Sequence, residues 1–184
     1  RYMQDYLGSI KSVDENVGRV LDYLEANDLM DNTIIVYTSD QGFYLGEHGW
    51  FDKRFVYDES LKTPLLVSWP ERIKAGSVST ELVQNLDFAQ TFLEVAGVEE
   101  PEDMQGESLI PVLTNNLKDW DREAVYYHYY EHPSEHNVNR HYAAITKEYK
   151  LIHHYFDLNY WELIDRKKDP LEQHNYYKDP AYSE

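Results

Sequence analysis

The sequence predicts an α/β chain: the end of a layered α/β domain, followed by a small antiparallel α+β subdomain. Three observations predict it. Two continuous β-branched and aliphatic runs, at 33–38 and 63–69, read as strands covered on both faces. Segments with apolar residues three and four apart flank them as amphipathic helices. After Pro111 the pattern changes to short aromatic-rich runs spaced like hairpins. The expected division is 1–112 for the layered part and 113–184 for the subdomain.

In chain order, Ile10, Val13, Val17, Val20, Leu21 and Leu24 line one face of a helix over 7–24, with Asp14, Glu15, Arg19, Asp22 and Glu25 on the other. It ends at Asn27-Asp28, and Asp31-Asn32 makes a turn. The run Thr33-Ile34-Ile35-Val36-Tyr37-Thr38 is a strand. The run Thr63-Pro64-Leu65-Leu66-Val67-Ser68-Trp69 is another, stopped by Pro70. Over twenty residues without a clean period separate them, and a loop of that length in a compact domain is usually functional. A second helix starts at Asn85 or Asp87, either of which can cap it, and runs to Ala96, with Gly97 at the C′ position. Strands come next at 124–130, 141–146 and 149–156, the last two joined as a hairpin at Lys147-Glu148, and 161–164 adds a fourth. The tail from Asp169-Pro170 reads as a short polar helix.

Composition narrows the function. Among 184 residues, 34 Asp and Glu against 17 Lys and Arg give a net charge of −17, which argues against nucleic acid and anionic membrane as partners. Apolar residues at 42% and aromatics at 15% support a real core. The absence of Cys excludes disulfides, thiolate metal sites and a cysteine nucleophile within these residues. No run approaches the roughly 20 apolar residues of a membrane span. The chain opens directly into a helical pattern, with no signal peptide, as though cut from something longer.

The first strand runs into Ser39-Asp40-Gln41-Gly42. Ligands of α/β sheets sit beyond the carboxyl ends of strands, and a carboxylate beside an amide oxygen is a hard donor pair suited to Ca²⁺ or Mg²⁺ rather than to a soft metal. A plain Asp-x-Gly turn with Asp40 as a cap is the alternative. Downstream lie Gly46-Glu47-His48-Gly49, Lys53 thirteen residues after Asp40, Tyr57-Asp58-Glu59-Ser60 and Thr63-Pro64-Leu65-Leu66. With the Val13-Asp14-Glu15-Asn16-Val17-Gly18 helix, Asn85-Leu86-Asp87, Gln105-Gly106-Glu107-Ser108-Leu109, Trp161-Glu162-Leu163 and Asp169-Pro170, this order resembles the C-terminal portion of the formylglycine-dependent sulfatases (arylsulfatase family) of the alkaline phosphatase superfamily. The resemblance covers essentially the full chain.

It implies an alkaline-phosphatase-like layered domain and hydrolysis of sulfate esters. Asp40 and Gln41 match the family's second pair of Ca²⁺ ligands, and Lys53 matches the lysine that contacts sulfate and steadies the leaving oxygen. His48 shares that loop and could donate a proton to the leaving alcohol or be structural. The family's nucleophile, a formylglycine made from Cys or Ser in a C/S-x-P-x-R motif, and its Asp-Asp metal pair both precede everything seen here. Ser68-Trp69-Pro70-Glu71-Arg72 matches the motif formally, but it comes after Asp40 and closes a strand, so it is rejected. The chain alone is expected to be inactive, with the missing N-terminal part as its partner.

The segment Tyr126-Tyr127-His128-Tyr129-Tyr130-Glu131-His132-Pro133, with His136, Arg140 and His141, is similar to those of relatives acting on sulfated glycosaminoglycans and amino sugars. Aromatic faces pack on sugar rings, and His136 and His141 are the candidate substrate contacts, although alternating Tyr is also ordinary sheet packing. His153-His154 should straddle a sheet, one in and one out. Two other readings compete. A non-catalytic carbohydrate-binding module would explain the aromatics but not the metal-site spacing. A metal-dependent phosphatase or phosphodiesterase of the same superfamily would favour zinc and a His at the Gln41 position. Family habit places such proteins in the periplasm or outside the cell.

Overall fold

In a computed structural model, which describes residues 1–183, the N-terminal apolar period becomes helix α1 (Tyr2–Ala26). It starts five residues before the apolar stripe because nothing from Tyr2 to Tyr6 breaks a helix. Asn27 ends it, its side-chain amide donating to the Tyr23 carbonyl at 2.7 Å. Strand β1 (Ile35–Thr38) and strand β4 (Leu65–Ser68) form a two-stranded sheet. Both are shorter than the runs that predict them, and β4 begins only after Pro64, which has no amide hydrogen for a ladder. They are half-covered within this chain, β4 alternating between half-buried and exposed, rather than closed on both faces.

The interval between these strands, expected as plain loop, folds locally. It holds the two-residue strands β2 (Tyr44–Leu45) and β3 (Phe51–Asp52), paired antiparallel, and one helical turn, α2 (Asp58–Leu61). Elements this short show no periodicity in a sequence. Helix α3 (Asp87–Ala96) ends as expected at Gly97, whose φ of +66° suits glycine. Its start differs from expectation, because neither candidate caps it. Asn85 reaches across to the carbonyl of Asp40, and Asp87 is fully buried in a bidentate pair with Arg122 at 2.5 and 2.8 Å. Arg122 also meets Glu107 at 2.9 Å. A short α4 (Ile110–Leu113) comes next.

Strands β5 (Val125–Tyr129), β6 (His141–Ile145), β7 (Tyr149–His154) and β8 (Tyr160–Asp165) form the expected antiparallel meander, in sequence order. The β6–β7 turn closes where Thr146 N–H donates to Tyr149 O at 2.8 Å. Register pairs Ala143 with Ile152 and Ile152 with Glu162, so one face carries Ala143, Ile145, Ile152 and Ile164 into a core shared with Val56. Each isoleucine buried there contributes about 1.5–3 kcal/mol. His153 and His154 straddle the sheet as expected: His153 stacks on Trp161 at 4.0 Å, and His154 faces inward to Glu162 at 2.8 Å.

The expected tail helix is absent. Glu172 N–H donates to Asp169 O, closing a turn, and Glu172 sits at φ +52° with its side chain buried against Lys150 at 2.6 Å. That inward ion pair spends the residue that would have continued a helix. Packing divides the chain into two compact units, 1–36 with 66–77 and 37–65 with 78–184. The site residues and the four-stranded sheet all belong to the second. The boundary expected at 112 falls inside α4, and packing groups 78–112 with the sheet.

Candidate active site

Past β1 the chain turns sharply at Ser39-Asp40-Gln41. The Gln41 backbone N–H donates to Asp40 Oδ1 at 3.0 Å and the Gln41 side-chain amide to Asp40 Oδ2 at 3.2 Å. That leaves Gln41 Oε1 without a donor among the described residues, and Asp40 without a cationic partner. An unbalanced carboxylate and a free amide oxygen thus share one turn, and they fit two ligands of a Ca²⁺- or Mg²⁺-sized ion. Among the described residues no group of three His, Cys, Asp or Glu could hold a metal, so this chain offers part of a ligand set. The turn is braced from outside: Asn85 Nδ2 donates to Asp40 O at 2.8 Å, and Gly42 N–H donates to Ser60 O at 2.7 Å. Gly42 is required by space, because a Cβ there would lie 1.9 Å from the Glu59 carbonyl oxygen.

The loop then passes through β2 and β3. Gly46, at φ +124°, permits the turn that carries Glu47, His48 and Gly49. Tyr44 is buried with its hydroxyl donating to Phe55 O at 3.1 Å and accepting from Tyr57 N–H at 3.2 Å, and burial raises its pKa beyond any physiological range. Lys53 lies just past β3. Its carbonyl accepts from Ser60 Oγ at 2.9 Å, while its ammonium meets no carboxylate among the described residues. The residue before it, Asp52, sits at φ +123°, a conformation that costs an L-residue of order 1–3 kcal/mol and persists only where the surroundings impose it.

The surroundings do impose it. His136, on the segment between β5 and β6, approaches Asp52 Oδ2 with Nδ1 at 3.2 Å and meets an Arg54 Nη2 hydrogen with Nε2 at 2.7 Å. Arginine only donates, so Nε2 is the unprotonated nitrogen and the Nδ1 proton points at Asp52. Arg54 itself lies 3.5 Å from Asp52 Oδ1, and its carbonyl accepts from Tyr127 Oη at 3.3 Å. Asp52, Arg54 and His136 therefore form one linked group beside Lys53.

The structure brings Asp40, Gln41 and Lys53 onto one braced loop and joins His136 to it through Arg54. His48 takes a different place. Its ring stacks on Tyr57 at 4.3 Å with Nε2 3.3 Å from Glu59 Oε2, and only 13% of the side chain is exposed. His141 is wholly buried among Phe55, Tyr129 and His154, its Nδ1 on Asn139 O at 2.8 Å. Burial lowers its pKa to about 4, with His154 adding to the effect. It therefore presents no edge to a substrate and instead backs the wall on which Phe55 rests. Beneath His48, Tyr57 Oη donates to Glu162 at 2.9 Å, continuing the chain of contacts to His154. Sequence reasoning missed Asp52, Arg54, Ser60, Asn85 and Glu162. Arg54 stood next to Lys53 but carried no spacing signal, and the others act through contacts with residues distant in the chain.

Comparison with known proteins shows the family of the chain. A family model described as N-sulphoglucosamine sulphohydrolase, C-terminal, matches residues 46–184. An N-acetylglucosamine-6-O-sulfatase of Bacteroides thetaiotaomicron is 56% identical over the whole chain, which spans 33% of that protein. The human N-acetylglucosamine-6-sulfatase is 39% identical over 57% of the chain and 19% of its own length. A solved structure of a protein in complex with its substrate D-glucosamine-2-N,6-O-disulfate superposes with a TM-score of 0.95 at 56% identity, covering 99% of this chain and 37% of that one. The chain thus spans about a third of the curated relative that it matches along its full length.

Proposed function

Because the chain belongs to the sulfatase family, within the alkaline phosphatase superfamily, we propose that it supplies the C-terminal part of an enzyme that hydrolyses a sulfate ester on an amino sugar or glycosaminoglycan. Membership implies a metal ion and a formylglycine in general terms; the finer reading is Ca²⁺ at Asp40 and Gln41, and a formylglycine in a preceding part of the protein. The observation that carries the proposal is the pairing on one braced loop of a carboxylate without a cation, Asp40, and a lysine without a carboxylate, Lys53, in a chain with twice as many acids as bases. Held by its backbone, with its ammonium unpaired among the described residues, Lys53 is available to an external anion.

The reaction breaks the S–O ester bond, water supplying a hydroxyl to sulfur and a proton to the sugar oxygen. Asp40 and Gln41 would hold a divalent ion, whose chemistry there would be to draw charge from the sulfuryl oxygens. Lys53 neutralises the developing negative charge on sulfate or on the leaving oxygen. Arg54, aligned by the His136–Asp52 pair, offers donors to a hydroxyl or a second anionic group of the sugar, and His136, with both ring nitrogens engaged, serves substrate binding through that alignment. His48 serves the reaction through the loop it locks onto Glu59 and Tyr57. The relatives' names motivate the choice of glucosamine 6-O-sulfate as test substrate, and a periplasmic or secreted location goes with the reading. Among the described residues no helix is long and apolar enough to cross a membrane.

The test is made on the full-length protein. Lys53→Ala should lower kcat about 10²- to 10³-fold on a glucosamine 6-O-sulfate while leaving the melting temperature near the parent value, since the ammonium has no partner to lose. Asp40→Ala should lose both activity and bound Ca²⁺. Near-normal turnover by Lys53→Ala would overturn the proposal.

A further inference from the structure

Two parts of the candidate site, the Asp40-Gln41 turn and Lys53, touch one common residue. Ser60, in α2, is 3% exposed. Its carbonyl accepts the Gly42 N–H at 2.7 Å, immediately after the turn, and its hydroxyl donates to the Lys53 carbonyl at 2.9 Å. We infer that Ser60 is a positioning residue that sets the Lys53 side chain relative to the Asp40–Gln41 oxygens, an assignment that rests on the reading of those three residues as a sulfatase site.

Lys53 comes directly after the unfavourable backbone of Asp52 and has no side-chain partner among the described residues, so none of them fixes the tip of its side chain. Its direction is set by the peptide plane between Lys53 and Arg54. That plane is held at the Lys53 carbonyl by Ser60, and the next plane at the Arg54 carbonyl by Tyr127. Ser60 is in turn fixed by α2, where its N–H donates to Tyr57 O at 3.0 Å, and Gly42 is pressed against the same turn. A shift of α2 would move both halves of the site together. Loss of the hydroxyl alone releases one half and leaves the other, because the bond to Gly42 uses the backbone carbonyl, which any residue retains.

That difference between the two bonds can be measured. In the full-length protein, Ser60→Ala should reduce kcat/KM for a glucosamine 6-O-sulfate by about 10- to 100-fold, the cost of misplacing a catalytic group by about 1 Å. Ca²⁺ affinity, read by calorimetry, should stay within twofold, because the Gly42 contact survives. In a Lys53→Ala background the same change should cost less than twofold further, since the group it positions is gone. Ser60→Cys, of similar volume but with a weak donor, should give the same pattern and stands in if the alanine variant does not accumulate. Unchanged kcat/KM in Ser60→Ala, or an equal further loss in the Lys53→Ala background, would overturn the inference while leaving the sulfatase reading intact. Near-parental turnover by Lys53→Ala itself would overturn both.

Discussion

Replacing Gly42 by alanine adds one methyl group at the tightest point of the candidate site. The backbone there does not occupy the left-handed region, so conformation alone would tolerate a side chain. Space does not: the new Cβ would lie 1.9 Å from Glu59 O, 2.9 Å from Glu59 C and 3.2 Å from Ser60 C, all backbone atoms of α2. Relief requires the two backbones to part by roughly 1 Å or more, because no flexible side-chain tip is available to yield. Overpacking of this kind costs about 1–3 kcal/mol. The retreat also stretches the 2.7 Å bond from Gly42 N–H to Ser60 O, worth about 1 kcal/mol more. The expected destabilisation is therefore about 2–4 kcal/mol. The catalytic effect should be larger in proportion, since the displaced segment carries Asp40 and Gln41 on one side and reaches Lys53 through Ser60 on the other. A 1 Å misplacement costs about 10²-fold in rate. Urea unfolding and kcat/KM on a glucosamine 6-O-sulfate, both with the full-length protein, measure the two effects. Parental stability together with parental turnover would refute both the packing at Gly42 and the assignment of this loop.

Two further expectations concern the support of the site. His141 is harder to protonate in the fold than in the unfolded chain, with a pKa lowered from 6.5 to about 4 by burial, so protons favour the unfolded state as pH falls through that window. Stability should decline between about pH 6.5 and 4 by up to about 3 kcal/mol from this group, and His141→Phe, which keeps a ring against Phe55, should flatten the decline in urea midpoints taken across that range; equal slopes in parent and variant would remove His141 as its source. Arg122→Ala leaves the fully buried Asp87 carboxylate without its bidentate partner and should cost about 3–5 kcal/mol in the same urea assay, whereas a loss below about 1 kcal/mol would mean that water replaces the guanidinium.

The elements that could be read from the sequence are those whose own residues carry the pattern. The 3.6-residue stripe of α1, Gly97 at the end of α3 and the aromatic alternation of β5 to β8 each arise from side chains within the element. The turn at Asp40 was likewise legible from the Asp-x-Gly that follows the strand, while Lys53 was singled out by spacing that resembles a family. What escaped was set by tertiary partners. Asn85 and Asp87 have the side chains of helix caps, yet both are drawn away, one to Asp40 O and the other to Arg122. Glu172 belongs to a polar tail by sequence, yet buried Lys150 takes it inward. His141 and His136 were equivalent candidates on paper. A period-two strand places His141 on the inner face with Ala143 and Ile145, whereas His136 stands outside any strand, free to meet Arg54.

Asp52 bears on whether this surface is catalytic or merely adhesive. A platform for sugar rings needs exposed aromatic faces and no particular backbone, and the exposed tyrosines of β5 and the segment after it, Tyr126 and Tyr130, would serve it unaided. Nothing in such a role explains an aspartate held at φ +123° immediately before a lysine without a partner, or the histidine and arginine that bind its carboxylate. Strain of this size persists where several contacts impose it, and here they converge on the two consecutive cations Lys53 and Arg54. A binding surface would gain nothing by that cost. A site that must hold two cations at fixed places around a sulfated sugar would gain from it, because the position of each is then set before the substrate arrives.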